Sequence, residues 1–94
     1  MKFNRLASFK EDFEKLPPQV QQQAKEKFRF FRENPKYPFH PSLRVKKMKG
    51  YEDIWEGHIT QGYMFTFMQE QEEETGETIF LFRHIGTHAI YDNP

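Results

Sequence analysis

Ile54-Trp55-Glu56-Gly57-His58-Ile59-Thr60-Gln61-Gly62-Tyr63-Met64-Phe65-Thr66-Phe67-Met68-Gln69 is the stretch that decides the fold. From Ile54 to Ile59 the side chains alternate. Trp55, Gly57 and Ile59 share one face and Ile54, Glu56 and His58 the other, the period of two that a strand imposes. Gln61-Gly62 predicts a tight hairpin turn. From Tyr63 to Gln69 the chain returns with Tyr63, Phe65 and Phe67 opposite Met64, Thr66 and Met68. One aromatic face on such a hairpin needs a second layer to cover it.

The flanking segments supply more strands and that layer. Downstream, an acidic segment containing Thr75-Gly76 predicts an exposed hairpin loop. Thr78 to Ile85 is apolar on both faces and is expected inside the sheet. Gly86 breaks it, and Thr87-His88-Ala89-Ile90-Tyr91 is expected as a short tail. Upstream, Leu43-Arg44-Val45-Lys46-Lys47-Met48 mostly alternates apolar with basic and predicts a half-buried strand, followed by a turn over Lys49-Gly50-Tyr51-Glu52-Asp53. Pro35, Pro38 and Pro41 mark a loop. Before it, Val20, Ala24, Phe28 and Phe31 form the apolar stripe of a helix from Pro18 to Glu33, which Asn34-Pro35 stops. Phe9, Phe13 and Leu16 predict an earlier helix, with Ser8-Phe9-Lys10-Glu11 fitting a capping box. Residues 2–7 can form a first strand, using Phe3 and Leu6. The expected fold is α+β: two N-terminal helices packed on one face of a mostly antiparallel four- to five-stranded sheet, in a single domain over residues 1–94.

Composition narrows the function classes. The 94 residues suit one small domain, and 11 phenylalanines enlarge its thin core. With no cysteine, a disulfide framework and a Cys-based zinc site are excluded. No apolar signal region follows Met1-Lys2-Phe3-Asn4-Arg5, and no stretch approaches a membrane span, so a cytoplasmic location is expected. Formal net charge is zero, against bulk coating of nucleic acid. The charges are nonetheless segregated: Arg44, Lys46, Lys47 and Lys49 are basic, whereas Glu70, Glu72, Glu73, Glu74 and Glu77 are acidic.

Four histidines are the natural candidates for acid–base chemistry. His40 lies between prolines and reads as a surface residue; His84 reads as a satisfied sheet histidine. His58, near a hairpin, and His88, just past Gly86, fall at strand ends that a meander can bring together, as general base and general acid. The spacing of His84 and His88 resembles a metal motif only on a helix, and here it straddles a strand end, so neither a metal nor a cofactor is expected. The basic stretch, with Arg83 and the aromatics Trp55, Tyr63 and Tyr91, suits phosphate and unpaired bases. Single-stranded RNA fits it better than duplex DNA, because no helix reads as a recognition helix.

In this order, Ser8-Phe9-Lys10-Glu11-Asp12-Phe13, Lys15-Leu16-Pro17, Asn34-Pro35, Lys47-Met48-Lys49-Gly50, Ile54-Trp55-Glu56, Gly62-Tyr63 and Ile85-Gly86-Thr87-His88 with Tyr91 resemble the RelE/ParE toxin superfamily of bacterial toxin–antitoxin systems. His58 before the hairpin and the Gly86-Thr87-His88 ending resemble its YafQ-like branch. The resemblance implies a ribosome-dependent mRNA endoribonuclease that blocks translation, held inactive by a cognate antitoxin, with the ribosome and mRNA as further partners. It implies that one of His58 and His88 deprotonates the ribose 2′-hydroxyl while the other protonates the leaving 5′-oxygen. Lys46, Lys47 and Arg83 would hold the phosphate, and Tyr63 and Tyr91 would orient a base or ribose. Where the family commonly has arginine after the Gly-Tyr pair, this chain has Met64, and where the YafQ-like branch has an acidic hairpin residue it has Gly62. The alternatives are a ParE-like gyrase inhibitor that needs no histidine chemistry, and a weakened homologue that keeps only antitoxin binding.

Overall fold

The segments that alternate in sequence form one sheet. The computed structural model describes residues 2–36 and 38–94. Its elements are β1 (Lys2–Arg5), α1 (Ala7–Glu14), α2 (Pro18–Glu33), β2 (Lys46–Lys47), β3 (Trp55–His58), β4 (Met64–Gln71) and β5 (Thr78–Gly86), with 3-10 turns at Pro41–Leu43 and His88–Asp92. The sheet order is β1-β5-β4-β3-β2, with β1 parallel to β5 and the other neighbours antiparallel. The architecture is the expected α+β one, and the doubly apolar β5 is interior, between β1 and β4. Among the described residues, no helix is long and apolar enough to cross a membrane.

The helices cover one face. Val20, Ala24 and Phe31 of α2 and Phe9 of α1 are buried against Phe65, Phe67, Phe80, Phe82 and Ile85. Phe31 is the hub: its ring stands edge-on to Phe3, Phe65, Phe67, Phe80 and Phe82 and stacks on Phe39. A ring so enclosed typically contributes roughly 3–5 kcal/mol over alanine. Met48, Ile54, Met64, Glu56 and Thr66 are also buried, outside this helix-side cluster. The second sheet face is therefore partly covered as well, by the C-terminal segment.

Four local expectations are corrected, and a fifth, the short tail, is refined. Ser8 does not cap α1, whose N-cap is Leu6 with no side-chain bond; its hydroxyl instead donates to the Arg83 carbonyl at 2.6 Å, tying α1 to β5. The strand expected from Leu43 shrinks to Lys46–Lys47. Pro41 starts a 3-10 turn, and His40 Nδ1 accepts the Ser42 N–H at 3.1 Å, which turns the chain before it can extend. His40 is half-buried and stacked on Phe30 at 4.3 Å, so it is a structural cap and not a free surface residue. The β3–β4 loop spans Thr60-Gln61-Gly62, closed by Ile59 N–H to Tyr63 C=O at 2.9 Å, with the Thr60 hydroxyl accepting from the Gly62 and Tyr63 amides. The tail after Gly86 is a 3-10 turn extending to Asp92.

Candidate active site

Glu56 and His58 are two residues apart on β3, so both face away from the helices. Register places Lys46 beside Glu56 on one side and Thr66 on the other. The Glu56 side chain is only 7% exposed, and three groups converge on its carboxylate. Lys46 Nζ lies 3.3 Å from Oε1 and His58 Nε2 lies 4.0 Å from the same oxygen. The Tyr91 hydroxyl faces it from the C-terminal turn. Burial of that phenol, the negative charge of Glu56 and hydrogen bonding toward the carboxylate raise the Tyr91 pKa, so it stays protonated at neutral pH.

His58 pairs with Met64, and Met64 with Gly86, so the strand ends that carry His58 and lead to His88 are neighbours. His88 is exposed, its ring edge-on to Tyr91 at 5.6 Å. The His58 pKa is pushed below its ordinary 6.5, chiefly by burial and then by the Arg44 charge; Lys46 and His88 push the same way and Glu56 opposes them. His58 is thus a neutral imidazole at pH 7. Its Nδ1 is buried with no hydrogen-bond partner. An unpaired buried acceptor is less costly than an unpaired buried N–H, which favours the proton on Nε2, facing Glu56. Arg44 is delivered by a left-handed backbone (φ 49°), the only non-glycine so placed among the described residues. That conformation is disfavoured for a residue with a Cβ.

Of the residues singled out from sequence, His58, His88, Tyr91, Arg44 and Lys46 come together. The others do not join them. Lys47 points to the opposite face, its ammonium 5.5 Å over the Trp55 ring, because neighbouring strand residues alternate. Tyr63 packs against the helix-side core. Lys49 is exposed in the turn after Met48. Arg83 is on the site's face but its Nε donates to the Pro94 main-chain oxygen at 2.9 Å. His84 Nδ1 is held 2.8 Å from Asp12 Oδ2, and that oxygen also accepts the Ile85 N–H. Glu56 was missed as a site residue, although the alternation of β3 already put it on the face of His58. Met64, fully buried, forms an apolar floor beside His58. Positive charge enters instead from Arg44 and Lys46 at the β2 side. A hollow of about 500 Å³ opens on the helix side, but phenylalanines with Arg5, Lys25 and Arg32 line it, so it offers no acid–base pair. No cluster of three or more His, Asp or Glu among the described residues is arranged to hold a metal.

No protein-family model matches the chain, and no curated protein matches it in sequence. Solved structures do. The YoeB/ParE toxin from Agrobacterium tumefaciens superposes with a TM-score of 0.71 at 16% identity, covering 94% of this chain and 99% of that one. YafQ from E. coli strain BL21(DE3) gives 0.72 at 11% identity over 94% and 93% of the two chains. A chain of the RelB–RelE antitoxin–toxin complex from Methanococcus jannaschii gives 0.67 at 18% identity over 97% and 98%. Nearly end-to-end superposition on all three shows that this chain has the RelE/ParE-like toxin fold.

Proposed function

We propose that the protein is the toxin of a toxin–antitoxin pair and a ribosome-dependent mRNA endoribonuclease, acting in the cytoplasm and restrained by an antitoxin. The observation that carries this reading is the buried Glu56 carboxylate with His58 Nε2 4.0 Å away. That gap is too long for a direct hydrogen bond. It is the span at which one hydroxyl oxygen reaches both atoms at roughly 2.8 Å. A ribose 2′-hydroxyl placed there accepts from His58 Nε2–H and donates to Glu56. Glu56 takes its proton as the 2′-oxygen attacks phosphorus, which moves the base role from His58 to Glu56. The P–O5′ bond breaks, and exposed His88 protonates the leaving 5′-oxygen. Arg44 and Lys46 stabilise the extra charge of the pentacoordinate phosphate. Products are a 2′,3′-cyclic phosphate and a 5′-hydroxyl.

Induced expression in bacteria should arrest growth and leave mRNA fragments with those ends. Glu56→Gln should slow cleavage by about 10²–10⁴-fold, the usual range for loss of a general base. A Glu56→Gln, His88→Ala double variant that cuts as fast as the parent defeats the assignment. Buried Met64 favours a second reading, a disarmed homologue that binds antitoxin without cutting. It predicts antitoxin binding with no growth arrest and no fragments. DNA-damage signalling without fragments would point to a ParE-like gyrase inhibitor.

A further inference from the structure

The C-terminal segment is anchored on the sheet at both ends. At one end it continues from β5 at Gly86. At the other, Pro94 is buried although Asp92 and Asn93 before it are exposed. One main-chain oxygen of Pro94 accepts two hydrogen bonds, from the Thr66 hydroxyl at 3.1 Å and from Arg83 Nε at 2.9 Å. Thr66 is fully buried and stands beside Glu56 in register. Arg83 is set up by a β-bulge: Thr66 pairs with His84 and Phe67 with Phe82, leaving Arg83 as the extra residue. A bulge re-aims a side chain. The Arg83 carbonyl is fixed by Ser8, and its Nη1 lies 3.3 Å from the Met68 sulfur. The guanidinium therefore has its Nε edge committed to the protein. Proline suits the anchored position because it buries no unpaired N–H. Between the anchors lie His88 and Tyr91.

We propose that Arg83 and Thr66 are a latch: they clamp Pro94 and so hold the 3-10 turn that carries Tyr91 over Glu56 and His88 beside it. Arg83 is then a positioning residue and not a phosphate ligand. As a device of an RNA-cleaving site, the latch rests on the function proposed above; as a structural element it is readable without RNA.

The test uses the full chain labelled with 13C at tyrosine Cζ, with Tyr91→Phe to assign the Tyr91 signal. In Thr66→Val, which removes the hydroxyl and keeps the shape, and in Arg83→Met, the Tyr91 titration midpoint should fall toward the value of an exposed tyrosine, about 10. The heteronuclear NOE of the amides from His88 to Asn93 should drop in both. Thr66→Ser, which keeps the donor, should stay with the parent. An unchanged Tyr91 midpoint and unchanged amide order in Arg83→Met overturn the latch, and if that variant does not fold, Thr66→Val decides by the same readouts. Loss of RNA cleavage in Arg83→Met with the Tyr91 signals unchanged also overturns it, because the guanidinium would then act on phosphate directly.

Discussion

The imidazole of His58 resists protonation from several sides: it is buried, and Arg44, Lys46 and His88 surround it with positive charge against Glu56 alone. This makes folding stability depend on pH with a definite sign. Its folded pKa is lower than its unfolded one, so between the two values the unfolded chain binds more protons and stability rises with pH. The contribution is intact above about 6.5 and is lost as pH falls toward the folded value. Urea unfolding at a series of pH values should show His58→Gln losing less stability than the parent as pH falls below about 6.5. Equal slopes would mean that burial does not disfavour the charged ring. The same residue shows what could be read from sequence. Position and face of His58 follow from strand alternation alone. The importance of Glu56 does not, because a glutamate in a strand reads as a solvated residue until Lys46, Tyr91 and the C-terminal segment close over it. Those partners lie 10 and 35 residues away in the chain, a pairing that no local pattern specifies.

Strand alternation puts Glu56 and His58 on one face of β3, and Gly57 between them lets the strand lie close against Phe65 on the other face. A Cβ there would lie 2.4 Å from Phe65 Cζ and 2.7 Å from Cε1. The Phe65 ring cannot retreat, being fully buried, stacked on Phe67 at 5.8 Å and edge-on to Phe28 at 5.0 Å. Gly57→Ala should therefore destabilise by about 1–3 kcal/mol, the usual cost of overpacking. It should also separate Glu56 from Lys46 by pushing β3 off its neighbours. Gly62→Ala, where a Cβ meets nothing within 4 Å, is the control and should leave the urea midpoint nearly unchanged. Similar midpoints for the two variants would refute the packing account. At this scale the sequence was readable where a pattern was long: the helical period of α2, the alternation of β4 and the apolar run of β5. It misled where a short pattern competed with tertiary bonds. The alternation from Leu43 was overridden by the Pro41 turn, and the apparent capping serine was drawn off by the Arg83 carbonyl.

The zero net charge conceals a molecule with two electrically different ends. β4 runs from Met64 beside the site to Gln71, and the acidic loop follows at the far end. Eight strand residues span about 26 Å, within a molecule whose longest dimension is 39 Å. Under the proposed function, the local field of Arg44 and Lys46, not the sum of charges, governs a phosphate brought to the site. In water, unit charges about 26 Å apart interact by about 0.16 kcal/mol, so removing two carboxylates changes binding by under twofold per phosphate engaged. Screening then decides whether even that survives: the Debye length is about 30 Å at 0.01 M salt and about 8 Å at 0.15 M. Anisotropy titrations of a short single-stranded oligoribonucleotide should show a Glu73→Gln, Glu74→Gln variant binding slightly tighter than the parent at 0.01 M salt and identically at 0.15 M. Lys46→Gln should weaken binding at both and flatten the salt dependence by about 0.7 in log–log slope, the loss of one phosphate contact on a single strand. An effect of the glutamate pair that persists at 0.15 M would place the acidic loop in contact with RNA, and an unchanged slope for Lys46→Gln would remove Lys46 from the phosphate site.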